Sequence, residues 1–107
     1  MPTPSDKLLL NGSARKYLRG LAHHLKPVVQ IGKTGLTLSV LGAIDEALEH
    51  HELIKIRFVD FKDQKRQLSQ TIATSSKSEL IGSVGHVFMF YRQHPDPEKR
   101  KVDLTSR

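Results

Sequence analysis

Val28-Val29-Gln30-Ile31-Gly32-Lys33-Thr34-Gly35-Leu36-Thr37-Leu38-Ser39-Val40-Leu41 runs from an apolar stretch through a glycine-bounded turn into an amphipathic helix. Val28 to Ile31 has the β-branched content of a strand. Beyond the turn, Leu36, Val40, Leu41, Ile44, Ala47 and Leu48 fall on one helical stripe, and Thr37 offers the side-chain oxygen of an N-cap. The helix is expected to end around His50 and His51, where imidazoles suit the negative end of the helix dipole. A strand that feeds a helix so directly requires a crossover connection, and hence a sheet with helices packed on it.

Upstream, Leu18, Leu21, Ala22 and Leu25 recur at the spacing of one helical face, with Ser13 as cap and Arg15, Lys16 and Arg19 off that face. Pro27 removes an N–H and disfavours helical geometry at Lys26, so this first helix is expected to stop just before it. Downstream, Leu53 to Val59 alternates, with Ile54, Ile56 and Phe58 on an apolar face and Leu53, Lys55, Arg57 and Val59 on a charged one. A weaker helix is expected from Asp63, as cap, to about Ser75. Leu80 to Val84 and Val87 to Arg92 are two strands joined at Gly85-His86. The expected fold class is α/β: a single four-stranded mixed sheet with about three helices, in the order α-β-α-β-α-β-β.

Residues 1–12, with two prolines, are expected to form a flexible N-terminal segment. Residues 94–107, with Pro95, Pro97 and Lys99-Arg100-Lys101, are expected to form a loosely ordered basic C-terminal tail, which would leave 13–93 as one domain. A chain of 107 residues with 37% hydrophobic content has a thin core, so function is expected on its outside.

Seventeen Lys and Arg against 11 Asp and Glu give a net charge of +6, which favours an anionic partner: nucleic acid, an anionic membrane or an acidic protein. Residues 1–35 carry six bases against Asp6, whereas residues 36–61 carry five acids against Lys55 and Arg57. Positive charge is therefore concentrated before and within the glycine turn. The absence of Cys excludes disulfides and thiolate metal sites. The start lacks the basic region of a secretory signal, and the most apolar run, Leu80 to Tyr91, is far shorter than the roughly 20 residues that span a bilayer. The expected location is the cytoplasm, without a membrane partner.

The six histidines, His23-His24, His50-His51, His86 and His94, never form a helical i, i+4 pair, so no metal site is expected. Asp45, Glu46 and Glu49 lie on the polar side of an amphipathic helix, which makes them a solvated face rather than paired catalytic carboxylates. No Ser/His/Asp constellation is visible in the spacing. The expectation is a protein that is not an enzyme, with no catalytic residue and no cofactor.

Gly32-Lys33-Thr34-Gly35 is the candidate site. Two glycines allow close approach of a phosphate, the helix start supplies unpaired N–H groups, and Lys33 adds a mobile charge. Loops of this GxxG form clamp single-stranded backbones in KH domains. The same spacing also occurs in plain strand-to-helix turns. Gly32-Lys33-Thr34 matches the end of a nucleotide-binding phosphate loop too, but that pattern needs glycine where Pro27 stands. With two Tyr, four Phe and no Trp, stacking platforms are scarce, so contact is expected to run through backbone and shape.

The run Leu18-Arg19-Gly20-Leu21-Ala22-His23-His24-Leu25-Lys26-Pro27-Val28-Val29-Gln30-Ile31-Gly32-Lys33-Thr34-Gly35-Leu36-Thr37 resembles the CRM domain family, and most of all its stand-alone, YhbY-like bacterial members. Ala47 to Lys55 and the closing Phe90-Tyr91-Arg92 extend the resemblance over roughly residues 12–93. It implies a fold like the C-terminal domain of translation initiation factor three and an RNA-binding role. The partner it implies is ribosomal RNA in precursors of the large subunit, bound by a monomer. It further implies that Gly32, Lys33, Thr34 and Gly35 contact RNA, with Arg15, Lys16, Arg19 and Lys26 extending a basic surface. Thr34 stands where many relatives have Asn, so backbone contact is what the resemblance carries over. The rival from another class is a basic protein-interaction module in ribosome assembly or translation.

Overall fold

The computed structural model describes residues 10–104. Its elements are α1 (Gly12–Ala22), β1 (Val29–Ile31), α2 (Leu38–His51), β2 (Leu53–Phe58), α3 (Lys65–Ser76), β3 (Glu79–Val84) and β4 (Val87–Tyr91), with short 3-10 turns at Lys62–Gln64 and Pro97–Lys99. The sheet order is β1-β2-β4-β3. β1 pairs parallel with β2, and the other neighbours are antiparallel. This is the expected α/β fold with a mixed sheet of four strands and three helices.

The sheet buries apolar side chains on both faces. Ile31, Ile54, Ile56, Phe58, Phe88 and Phe90 meet Ile44 and Leu48 of α2 and Ile72 of α3. Leu53, Ile81, Met89 and Tyr91 meet Leu18 and Ala22 of α1. Leu53, expected on the charged face of its strand, is therefore covered. The face is mixed along its length: α1 has 11 residues, about 16 Å of helix, and seals only the part that carries Leu53. Lys55 and Arg57 lie beyond it.

Element boundaries follow the available caps. Asn11, not Ser13, starts α1, its Oδ1 accepting from the Ala14 N–H at 2.8 Å. α1 ends at Ala22, and a turn at His23 and His24 leads into an irregular segment that reaches Pro27. Thr37 caps α2 as expected, its Oγ1 accepting from the Val40 N–H at 3.1 Å. Asp63 does not cap α3: it sits inside the 3-10 turn, and α3 opens without a side-chain cap.

At one end of the sheet Glu52 connects α2 to β2 at φ 63°, fully buried. Its carboxylate accepts from the N–H groups of His94 at 2.6 Å, Lys101 at 2.6 Å and Val102 at 2.9 Å. A buried carboxylate is costly unless hydrogen-bonded, and these three donors compensate it. Residues 94–104 are consequently held along the body, with Val102 and Leu104 packed on the core beneath α1. The expected looseness does not extend over them; residues 1–9 and 105–107 lie outside the described residues. Asp45 and Glu49 are likewise more than a solvated face. Asp45 Oδ1 lies 2.7 Å from Arg92 Nη1, and Glu49 Oε2 lies 2.7 Å from His94 Nε2.

Candidate nucleic-acid interface

Gly32 to Gly35 closes as a four-residue turn, with the Gly35 N–H donating to the Gly32 carbonyl at 3.0 Å. The two glycines do different work. Gly35 has φ +69°, where an L side chain is strained, and an added Cβ would stand 3.4 Å from the Phe61 ring. Gly32 has no such φ, and nothing lies within 4 Å of where its Cβ would be. One glycine makes the turn and the other leaves space above it.

The Thr37 N–H donates to the Gly35 carbonyl at 3.1 Å. Among the described residues, no acceptor reaches the N–H groups of Lys33 and Thr34, or those of Leu38 and Ser39 at the start of α2. Lys33 and Thr34 are exposed. Unpaired donors at a helix start, beside an ammonium group, are the elements of an anion seat. So tight a turn lacks the longer nest of successive amides that wraps the phosphates of a nucleotide.

Three loops meet at this end of the sheet. The N–H groups of Val59 and Asp60 donate to the Ile31 carbonyl at 3.0 and 3.1 Å, and the Phe58 N–H donates to His86 O at 2.8 Å. Lys65 Nζ donates to Gly85 O and to His86 Nδ1, each at 3.0 Å. Partial desolvation, with the ammonium groups of Lys65 and Lys62 nearby, holds the His86 imidazole below its ordinary pKa. Phe61, half-exposed at φ 58°, lies against Gly35. An exposed aromatic beside the loop is absent from the sequence reading. Its only signal is a Phe flanked by Asp60 and Lys62 in a loop.

The four outlying cations separate. Arg15 Nη2 pairs with Glu79 Oε1 at 3.0 Å and its Nη1 donates to Leu80 O at 3.0 Å, which commits it to β3. Lys16 is exposed on α1. Arg19 and Lys26 come together on the half of the sheet that α1 leaves open, where His23, Lys55 and Arg57 join them. Sequence reasoning saw Lys55 and Arg57 as the charged face of a strand but had no means of seeing that α1 stops short of them. In register Arg57 stands opposite Gln30, so this basic surface runs up to the base of the Gly32 loop. Among the described residues no group of three or more His, Asp or Glu side chains is placed to hold a metal ion, and no helix is long and apolar enough to cross a membrane.

Residues 10–92 match the family model described as the CRS1/YhbY (CRM) domain. A protein of Haemophilus influenzae named RNA-binding protein is 38% identical over 99 residues, covering 92% of this chain and 97% of that protein. A protein of Pseudomonas aeruginosa named a probable RNA-binding protein is 36% identical, over 92% of this chain and 95% of its own length. The solution structure of a hypothetical protein from Staphylococcus aureus is 33% identical, superposes with a TM-score of 0.74, and covers 89% of this chain and 100% of its own.

Proposed function

The chain belongs to the CRS1/YhbY (CRM) domain family, and from that membership we propose that it is a cytoplasmic RNA-binding protein that grips the backbone of ribosomal RNA in large-subunit precursors at Gly32 to Gly35. The observation that carries this reading is the open turn: exposed Lys33 and Thr34 with unpaired amides, above a glycine that leaves room for a ligand.

Phosphate oxygens accept hydrogen bonds from the Lys33 and Thr34 amides, and the Lys33 ammonium group supplies charge. The positive end of α2 adds a weaker field at the same place. Arg19 and Lys26 continue the contact across the sheet. Lys16 and Arg15 extend the positive surface along α1, with Arg15 partly neutralised by Glu79. Contacts of this kind fix position on the backbone and carry little sequence information.

The test is a fluorescence-anisotropy titration of ribosomal RNA fragments with the chain and with Lys33→Ala. Weaker binding at an unchanged melting temperature is expected. Equal affinity for the two proteins would remove the loop from the interface. Crosslinking in cells followed by RNA mapping identifies the RNA, and RNase treatment of purified complexes releases the partners if RNA, rather than an acidic protein, holds them.

A further inference from the structure

The sheet face that carries α1 is only half covered. The open half, towards the β3–β4 turn, is a groove of about 460 Å³. Its rim carries the cations Arg19, Lys26, Lys55 and Arg57, with the His23 imidazole beside them, and among the described residues no carboxylate lines it. Its floor is apolar, made by Pro27, Val84, Val87 and Met89. Val84 is 73% exposed, so its side chain is open to a ligand entering the groove.

Two of the rim cations are held in place. Gly82 makes room for Arg19: a Cβ there would come within 2.9 Å of Arg19 Cδ. Without it the arginine stem lies across β3, and Nη1 reaches Ile81 O at 3.4 Å. Lys55 Nζ donates to Leu25 O at 3.1 Å, which ties the strand to the turn after α1.

We propose that this groove takes one unpaired nucleotide of the bound RNA, its base against Val84, Val87 and Met89 and its flanking phosphates on Arg19, Lys26 and Arg57. The inference rests on the RNA-binding reading above and adds a second subsite that recognises single-stranded character. A wholly apolar ligand would leave the cations desolvated without partners, and a bare phosphate track would need no apolar floor. A nucleotide supplies both chemistries, and the groove has the size of a small-ligand site. In a duplex the base edges are paired inside the helix, so only a strand with splayed bases fits. Because Arg57 stands opposite Gln30, two residues from Gly32, one strand can reach both the groove and the loop.

The experiment uses Val84→Ser, which removes floor area while leaving every cation and the loop intact. Binding is measured against a short unpaired oligoadenylate and against a strand of equal length whose sugars carry no bases. Lys33→Ala serves as the loop reporter. Val84→Ser is expected to weaken oligoadenylate binding roughly tenfold, the worth of burying one valine side chain, and to leave the base-free strand unaffected. The Met89 methyl resonance should shift on adding oligoadenylate and stay in place with the base-free strand. Equal weakening on both strands overturns the proposal. So does no weakening on either while Lys33→Ala still weakens both, in which case the loop reading stands alone. If neither variant changes affinity for either strand, the RNA interface at this end of the protein is wrong altogether. A Met89 shift produced equally by polyglutamate would make the groove a protein-docking surface and also overturn the proposal.

Discussion

The two ends of the sheet treat the same chemical group in opposite ways. At the α2–β2 junction three backbone N–H groups converge on the buried carboxylate of Glu52. At the other end, the N–H groups of Lys33 and Thr34 find no acceptor among the described residues and face solvent beside an ammonium group. Where the protein supplies its own anion, the chain is tied down. Where it supplies none, the donors are left for an anion from outside. The comparison separates stability from binding: changes at Glu52 should act on folding, and changes at the loop should act on RNA.

The largest effect is expected from Glu52→Ala. It strands three donors and frees residues 94–102, costing about 3 kcal/mol or more in urea denaturation, while the folded fraction keeps its RNA affinity. A loss of affinity equal to that of Lys33→Ala, in protein shown to be folded, would break the separation. The two loop glycines sharpen it. Gly35→Ala forces a Cβ into a left-handed position against Phe61 and should cost about 1–2 kcal/mol of stability. Gly32→Ala meets no neighbour, so its stability should stay within about 0.5 kcal/mol of the parent, yet its methyl group occupies the space where phosphate approaches. Equal melting temperatures for the two variants, or unimpaired RNA binding by Gly32→Ala, would reduce the loop to a plain turn.

A smaller effect concerns salt. With about four to six phosphates neutralised on a flexible strand, the logarithm of affinity should fall with a slope of roughly −3 to −4 against the logarithm of salt concentration. Lys33→Ala should lessen that slope by about 1, and Glu52→Gln should leave it alone. The smallest effect is confined to alkaline pH. Burial, with the Glu52 carboxylate nearby, raises the Tyr91 hydroxyl from the usual 10.0 to about 12. A raised value favours the neutral phenol in the folded protein, so its contribution to stability is complete below about pH 10 and lost as pH rises towards 12. Tyr91→Phe should flatten thermal stability over that window.

Several features were legible in local pattern because their causes are local. The apolar stripe from Val40 to Leu48, the Thr37 cap and the alternation of Ile54, Ile56 and Phe58 depend on residues a few places apart. The GxxG turn could be located in the same way, but the division of labour between Gly32 and Gly35 could not. It depends on Phe61, which approaches from a different loop. Arg15 and Arg19 were alike as cations off one helical face. β3 distinguishes them, since Glu79 engages Arg15 whereas Gly82 gives Arg19 room beside the groove. Asp45 and Glu49 were charges on a polar helix face until Arg92 and His94 were brought against them.

By itself the sequence determined the α/β class, the order of elements, the basic character of the first third of the chain and the position of a turn able to approach phosphate. Periodicity, capping and net charge are properties of near neighbours or of sums, and they need no coordinates. Only the tertiary structure decided which face α1 covers and how much of it, which cations share a groove, and that Glu52 holds residues 94–104 against the body. Each of those depends on groups far apart in sequence, whose meeting is set by strand order and helix length.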